Sequence, residues 1–159
     1  MKLSKSFTIN EFLKTNRNFI FHPTETEIQN LTDLCICLLQ PIRDYIGKPI
    51  YITINGGLRP EPLNSMIGGA RTSDHISGKA SDIDVKGITQ EELFRNVCIA
   101  IKNLNLSFKQ LILEKDSNCV HISYDKNNLK KEILIRTKPN GKYVYKRISL
   151  LEGTSLSVL

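Results

Sequence analysis

The sequence predicts an α+β fold, in which N-terminal helices pack on a mainly antiparallel sheet within a single domain. Helical spacing of apolar residues dominates the first third of the chain, and short alternating segments separated by turns dominate the last third. Helices followed by strands, without regular βα alternation, are typical of an antiparallel sheet with segregated helices. The chain has 159 residues, of which 40% are hydrophobic, and this is enough for one sizeable core. We therefore predict one domain over residues 1–150 and a loose tail over residues 151–159.

Capping boxes predict where the N-terminal helices begin. Thr8, with Glu11 three residues later, predicts a short helix that ends within the following turn. Thr24, with Glu27 three residues later, predicts a longer helix that ends at Gly47. The longer helix carries an apolar stripe that consists of Ile28, Leu31, Leu34, Leu38, Ile42 and Ile46.

A proline interrupts the long helix, and a strand and a loop follow it. Pro41 has no N–H to donate and its ring clashes with the preceding turn, so we expect a kink or a split near Leu39. Residues 50–54 alternate apolar and polar side chains like a strand, which an asparagine and two glycines end. Residues 59–72 contain two prolines and a pair of glycines, so we predict a loop there.

The second half of the chain combines one helix with several strand candidates. Residues 82–85 predict a strand, and Thr89 with Glu92 predicts a capped helix whose apolar residues continue to Leu104. Further strands are predicted at residues 109–114, 119–124, 133–137 and 143–148. The last two flank Pro139-Asn140-Gly141 and are expected to form a hairpin.

Two histidines and an aspartate form a candidate metal site. Catalytic zinc prefers imidazole and carboxylate ligands and keeps one position open for water. His75, Asp82 and His121 supply such a set. Gly78 and Ala80 leave room for the chain to turn between the first two ligands. The spacing therefore favours convergence of these side chains on one metal ion.

Glu114 is the candidate for a general base, which a water-activating metal site needs beside the metal. A four-residue turn would join its strand to that of His121 and place the two side chains side by side. The alternative interpretation of Glu114 is a strand-end carboxylate in a salt bridge. Asp84 shares a strand face with Asp82 and is its nearest rival as a ligand, and Cys119 shares the strand face of His121.

These residues resemble the zinc D,D-peptidase family, which contains D-Ala-D-Ala carboxypeptidases and dipeptidases and the L-alanyl-D-glutamate endopeptidases of bacteriophage lysins. The family pattern Ser-x-His-x-x-Gly-x-Ala-x-Asp falls on Ser73, His75, Gly78, Ala80 and Asp82. Glu114 and His121 are similar to the family's general-base acid and its third ligand. The chain departs from the small members at Gly56-Gly57-Leu58-Arg59, where they read Ser-Gly-Tyr-Arg, and at Asp74, where glutamine is common. Both departures bear on substrate preference more than on zinc binding.

The resemblance implies one Zn²⁺ per chain, held by the two histidines and the aspartate. It also implies that Glu114 takes the proton from the attacking water and returns it to the leaving amine, while Arg59 helps to stabilise the oxyanion. Ser73 is expected to reach a substrate carbonyl or the backbone of the site, and its alternative role is to form a turn. Arg59 or Arg71 would anchor a terminal carboxylate of the substrate, whereas a loop arginine can also only pair with nearby acids.

The implied activity is hydrolysis of peptidoglycan stem peptides by a zinc metallopeptidase. The resemblance leaves two forms of it open, a D-Ala-D-Ala carboxypeptidase and an endopeptidase of the phage-lysin kind that degrades the cell wall. One alternative is a non-catalytic virion structural or binding protein that keeps the metallopeptidase fold. Another is a metal-dependent hydrolase that acts on a different substrate. The presence of all the candidate ligands and of the base favours the enzyme.

Charge and composition give expectations about partners and location. The net charge of +6 favours polyanionic surroundings, with anionic cell-wall polymer as the leading partner. Nucleic acid is not expected, because residues 126–131 are interpreted as a solvated loop. We expect a monomer with four reduced cysteines, no secretory signal in residues 1–14 and no membrane span. We therefore expect synthesis in the cytoplasm and action on the wall after release by a holin or lysis, or as a virion component.

Overall fold

A six-stranded sheet organises the protein, whose computed structural model describes residues 1–157. Its strands are β1 (Tyr51–Ile52), β2 (Ala80–Asp84), β3 (Gln110–Glu114), β4 (Cys119–Ser123), β5 (Glu132–Thr137) and β6 (Val144–Arg147). Their order is β1-β2-β4-β3-β5-β6, and every neighbouring pair is antiparallel except β3 and β5, which are parallel. The predicted α+β fold with a mainly antiparallel sheet is confirmed.

The helices lie before, between and after the strands. They are α1 (Ile9–Phe12), α2 (Glu25–Leu34), α3 (Gln40–Ile46), α4 (Glu61–Met66), α5 (Gln90–Leu104) and α6 (Leu150–Thr154). The predicted capping boxes begin α1 and α2, and Thr89 caps α5 by accepting the backbone N–H of Glu92. Within residues 1–157, no helix is both long enough and apolar enough to cross a membrane.

A π-helical turn interrupts the long N-terminal helix just before Pro41, close to the kink or split that was predicted near Leu39. The chain runs through α2 into a π-helical turn at Cys35–Leu39 and continues as α3. The N–H of Gln40 reaches back five residues to the carbonyl of Cys35, which widens the turn ahead of the proline. Pro41 then lies in the first turn of α3, where its missing N–H costs least.

One face of the sheet packs on the helices and forms the core. Strand residues on this face include Ile83, Leu111, Leu113, Val120 and Ile122, all fully buried against α5 and the N-terminal helices. Burial of each such side chain contributes about 1.5–3 kcal/mol. Because side chains alternate along a strand, the intervening residues point to the opposite face. That second face carries most of the polar strand residues.

Two local predictions differ from the structure. Residues 50–54 contribute only the short strand β1, because the N–H of Gly56 bonds the carbonyl of Thr53 in a tight turn that interrupts the regular pairing with β2. The predicted loop at residues 59–72 contains α4, which begins directly after Pro60. Pro62 lies in the first turn of α4, where a proline is tolerated because the N–H groups there have no intrahelical partner.

The predicted tail is wrong in its first part. Residues 150–154 form α6, which Ser149 caps by accepting the N–H of Glu152. Gly153 is buried where α6 packs on α5, and a Cβ at this position would lie 2.6 Å from Cys98 Sγ. The prediction failed because packing against α5 stabilises a helix too short to form alone. The last two residues of the predicted tail lie outside the described residues.

Candidate metal centre

Two neighbouring strands place Asp82 and His121 together. In the antiparallel pair formed by β2 and β4, Asp82 lies directly opposite His121, so both side chains point to the polar face of the sheet. β4 also pairs with β3 on its other side, which fixes the position of His121 in the middle of the sheet. Register alone therefore brings together two groups that are 39 residues apart in the chain.

A capped turn brings His75 to the same point. The 3₁₀ turn Asp74–Ser77 lies just before β2, and Ser73 Oγ accepts the backbone N–H of His75 at its start. Gly78 ends the turn with φ +73°, a left-handed conformation that glycine adopts without a Cβ penalty. A Cβ at Gly78 would also lie 2.9 Å from the backbone oxygen of Glu27. The serine and glycine of the sequence pattern thus shape the turn that carries the histidine.

The three candidate ligand atoms form a small triangle. Asp82 Oδ1 lies 3.0 Å from His121 Nδ1 and 3.2 Å from His75 Nε2, and the two imidazole nitrogens are 3.2 Å apart. Ligands placed about 2.0–2.1 Å from a tetrahedral zinc ion are separated from one another by about 3.3–3.4 Å. The side chains of His75, Asp82 and His121 are 2%, 13% and 10% exposed. This triangle fits a tetrahedral metal ion with one side near solvent.

The hydrogen bonds of the triad orient its donor atoms. His75 Nδ1 donates to the carbonyl oxygen of Gly57 at 2.9 Å, so Nε2 is the ring nitrogen that faces Asp82 and His121 and that a metal ion would take. Burial raises the pKa of the Asp82 carboxyl, but the attraction and hydrogen bonds of the two histidines outweigh burial and hold that pKa well below its usual range. The donor set therefore combines an ionised carboxylate with imidazole nitrogens, which are ligands that zinc prefers.

Glu114 lies beside the triad but not in it. The predicted hairpin is present, but the predicted side-by-side placement is wrong, because Glu114 pairs with Cys119 and His121 pairs with Ile112. A four-residue turn makes Glu114 the diagonal neighbour of His121 on the same face. The ligand atoms of Glu114, Asp82 and Cys119 all lie within 4.8 Å of one another.

The Glu114 carboxylate is held by three donors. Oε1 accepts a hydrogen bond from Arg136 Nη1 at 2.8 Å, and Oε2 accepts one from Ser117 Oγ at 2.7 Å and one from Cys119 Sγ at 3.2 Å. An ionised carboxylate offers about four lone-pair positions, so one remains for a water or substrate proton. Burial and the charges of Asp82 and Glu114 raise the pKa of the Cys119 thiol, which acts here as a donor to Glu114.

Arg136 is a site residue that the sequence did not indicate. It lies on β5 directly beside Glu114 and also forms two hydrogen bonds of 2.8 Å to the carboxylate of Asp116. Burial lowers the pKa of Arg136, but the hydrogen bond to Asp116 and the charge of Glu114 outweigh burial and raise it. The parallel pairing of β5 with β3 creates this contact across 22 residues of sequence, and no local spacing indicates it.

Arg59 and Ser73 contact each other at the edge of the triad. Arg59 Nη2 donates to Ser73 Oγ at 3.3 Å, and the backbone N–H of Arg59 bonds the carbonyl of His75. Burial lowers the pKa of Arg59, against the opposing attraction of Asp82 and other nearby groups. Within residues 1–157, Arg59 Nε is buried without a hydrogen-bond partner. The guanidinium therefore retains donor capacity beside the ligands.

The other sequence candidates lie further from the triad or are engaged elsewhere. Arg71 is exposed in the turn that precedes Ser73. Asp74, where the related family has glutamine, pairs with Lys109 at 2.6 Å. Asp84, the rival of Asp82, accepts hydrogen bonds from the Val85 backbone and the Gln90 side chain through Oδ1, so it caps the end of β2.

Comparison with known proteins identifies one family. A family model described as Peptidase M15 matches residues 5–123, which run from just before α1 through β4. The match covers the triad, Glu114, Arg59, Arg71 and Ser73, while β5, β6 and α6 lie beyond it. No curated protein matches the chain.

Proposed function

Because the chain belongs to the Peptidase M15 family, we propose that it is a zinc-dependent metallopeptidase that hydrolyses the stem peptides of peptidoglycan. M15 peptidases are zinc-dependent, and the family match covers three quarters of the chain, residues 5–123 of 159. The observation that carries the proposal is the convergence of two imidazoles and a carboxylate with Glu114 beside them. This arrangement has the parts that metal-assisted peptide hydrolysis needs.

The ligands in this proposal are His75, Asp82 and His121. Zinc, when bound, supplies a Lewis acid that polarises the scissile carbonyl and favours deprotonation of a water. The protein contributes the orientation of its ligands, because the carbonyl of Gly57 fixes the tautomer of His75 and strand register fixes Asp82 against His121.

Glu114 serves as the general base in this mechanism. Its carboxylate accepts the proton of the attacking water at the free lone pair and delivers that proton to the leaving amine. Arg136 and Ser117 hold the carboxylate in one orientation, so its free lone pair has a fixed direction. Arg59 donates from its unused nitrogens to the developing oxyanion or to a substrate carboxylate.

The scissile bond is either the terminal D-Ala-D-Ala bond or one inside the stem. A carboxypeptidase needs a cation that binds the terminal carboxylate, and Arg59 is the better placed candidate because it contacts Ser73 beside the triad, whereas Arg71 is exposed in a turn. An endopeptidase needs an open cleft. The polar face of the sheet continues past Glu114 onto β5 and β6, where Tyr145 and Arg147 are exposed, and this supports room for an extended peptide.

Mass spectrometry of digested peptidoglycan tests the proposal. Zinc-loaded protein is incubated with purified peptidoglycan beside a Glu114→Ala variant shown to retain zinc. Loss of terminal D-Ala identifies a carboxypeptidase, and cleavage within the stem identifies an endopeptidase. Because a positioned general base accelerates such reactions by about 10²–10⁴-fold, the variant should lose at least this factor. Glu132→Gln is the matched control, since Glu132 is also an ion-paired carboxylate on the same face of the sheet but lies next to Arg147.

A second outcome would favour a different function. If wild type and variant both bind zinc and neither releases a product, the chain is better described as a non-catalytic virion structural or binding protein that keeps the metallopeptidase fold. Product release from an unrelated peptide but not from peptidoglycan would instead indicate a hydrolase with a different substrate. Equal product release by wild type and Glu114→Ala would contradict the role of Glu114.

A further inference from the structure

The positive charge of the chain is concentrated in one C-terminal segment. Residues 126–149, which we name the basic hairpin, contain eight lysines and arginines and one acidic residue, Glu132, for a net charge of +7. The whole chain has 22 basic and 16 acidic residues, so the remainder, with 14 basic and 15 acidic residues, has a net charge of −1. The basic hairpin contains β5 and β6 and lies entirely beyond the family match, which ends at residue 123.

Several of these charges are exposed and lack acidic partners. β6 is the outermost strand of the sheet, and all four of its residues are exposed. Glu132 pairs with Lys130 and Arg147. In the part of the chain that the structure describes, the ammonium groups of Lys138, Lys142 and Lys146 have no carboxylate within 4.0 Å. Their field therefore extends into solvent from the tip and the outer strand of the hairpin.

Aromatic side chains order part of this surface. Lys138 Nζ lies 4.6 Å from the centroid of the Tyr143 ring, and the Arg136 guanidinium carbon lies 4.7 Å from it. Cation–π contacts of this length are attractive, so they restrain the loop end of the hairpin. Tyr143 and Tyr145 are still about half exposed, at 53% and 51%.

The basic hairpin is joined to the candidate catalytic residues through the sheet. Glu114 on β3, Arg136 on β5 and Tyr145 on β6 form one row across three adjacent strands. Neighbouring strands are about 4.8 Å apart, so β6 lies about 10 Å from the strand that carries Glu114. A polymer bound along β6 would therefore keep the candidate metal centre close to the matrix to which that polymer is attached.

We propose that the basic hairpin binds an anionic polyol-phosphate polymer attached to peptidoglycan, an inference that rests on the proposed function for its choice of partner. Phosphates spaced along a flexible chain match the unpaired lysines at the tip and along the outer strand, because an ammonium group binds phosphate as a point charge without a fixed geometry. The observations favour this polymer over single-stranded nucleic acid, because two cations contact the Tyr143 ring and only the Tyr145 ring of the hairpin is left for stacking, whereas nucleic-acid sites stack successive bases on several rings.

Cosedimentation with cell-wall sacculi tests the proposal. Two preparations are compared, one that retains its polyol-phosphate polymer and one from which hydrofluoric acid has removed it. The hairpin variant carries Lys138→Gln, Lys142→Gln and Lys146→Gln. The matched control carries Lys5→Gln, Lys14→Gln and Lys48→Gln, three exposed lysines outside the basic hairpin. Single-stranded DNA is a third ligand, and cleavage of a short soluble stem peptide is measured on all three proteins.

We expect wild type and control to bind the polymer-bearing sacculi at least about tenfold more tightly than the hairpin variant does. The slope of the logarithm of the binding constant against the logarithm of the salt concentration should be shallower by about 2 in the variant. Cleavage of the soluble peptide should be equal in all three proteins. Equal binding to both sacculus preparations, equal losses in both variants, or tighter binding of DNA than of polymer would overturn the proposal. Self-association of the hairpin variant with unchanged polymer binding would also overturn it, since edge lysines then only prevent strand pairing. Polymer binding without peptide cleavage by any protein would contradict the proposed function and not the binding surface.

Discussion

At the scale of single residues, an ion pair with a residue beyond the family match helps to hold the candidate base. Glu114 and Arg136 are adjacent only because β5 lies parallel to β3, and the 2.8 Å contact fixes one carboxylate oxygen. Ser117 holds the other oxygen from the hairpin turn. The orientation of the base therefore depends on a neighbour from a strand outside the matched residues 5–123.

Replacement of Arg136 by methionine should impair catalysis without removing zinc. The Arg136→Met variant keeps the apolar stem but removes the donor to Glu114 Oε1, so Ser117 and Cys119 hold the carboxylate through Oε2 alone and its direction is less well fixed. We expect kcat to fall roughly 10- to 100-fold with KM nearly unchanged, which is the size of effect that misplacement of a reacting group produces. Steady-state kinetics on a soluble stem peptide, with zinc content measured in parallel, checks this. Arg147→Met, which removes a similar ion pair on β6, is the control, and an equal fall in both variants would speak against a positioning role.

Loss of His121 should abolish the stabilisation that zinc provides. A ligand that binds only the folded state raises the free energy of unfolding by about 2.7 kcal/mol when its free concentration is 100 times its Kd. We expect wild type and His22→Ala to show this increase, and His121→Ala to show little of it. Urea unfolding with and without zinc measures the difference. His22 is a suitable control because it is exposed and precedes α2. An undiminished zinc effect in His121→Ala would remove this residue from the ligand set.

At the scale of secondary structure, short capped turns deliver the site residues. The turn that carries His75 is only four residues long, and a serine and a left-handed glycine define its two ends. The sequence pattern therefore specifies the geometry of this turn as well as the identity of the ligands. The two ends of the turn can be identified from the sequence because Ser73 and Gly78 lie only five positions apart.

Replacement of Gly78 by alanine tests the importance of this turn. Gly78 has φ +73° and its added Cβ would lie 2.9 Å from the oxygen of Glu27, whereas Gly87 has φ +85° and no atom within 4 Å of its added Cβ. Gly87→Ala should therefore cost about 1–2 kcal/mol of stability from backbone strain alone. Gly78→Ala should cost about 1–3 kcal/mol more because it also overpacks, and it should weaken zinc binding. Denaturant unfolding of the metal-free variants gives their free energies of unfolding. An equal loss of stability in Gly78→Ala and Gly87→Ala would show that the close contact with Glu27 adds nothing to the backbone strain.

At the scale of the whole molecule, the sheet separates the two main tasks of the fold. One face is apolar and packs on α5 and the N-terminal helices, and the other face carries the triad, Glu114, Arg136 and the cluster around Glu132. The stability of the fold and the chemistry of the site thus use opposite faces of the same strands. Changes on the polar face are expected to alter function or acid stability with little effect on the core.

The Glu132 cluster predicts a specific acid sensitivity of the fold. Burial raises the pKa of Glu132, but hydrogen bonds from Lys130, Gln110 and Arg147 outweigh burial and lower it from 4.5 to about 2. A carboxyl with a lowered pKa contributes stability that is fully present above its unfolded pKa and is lost as the pH falls through its folded pKa. We expect the free energy of unfolding of the metal-free protein to fall between pH 4.5 and about 2, and to fall less in Glu132→Gln. Urea unfolding across this pH range measures how the free energy of unfolding changes with pH, and an identical change in wild type and Glu132→Gln would refute the prediction.

The sequence by itself determined the fold class, most elements and the candidate site residues. Capping boxes, apolar spacing, strand alternation and Pro41 depend on near neighbours, so their structural consequences can be worked out locally. The tertiary structure decided the strand order, the diagonal position of Glu114, the role of Arg136 and the grouping of charge on the outer hairpin. It also decided that α6 forms, because this helix depends on packing against α5. These features depend on contacts between distant parts of the chain, whose free energies are set by packing and strand pairing and not by sequence spacing.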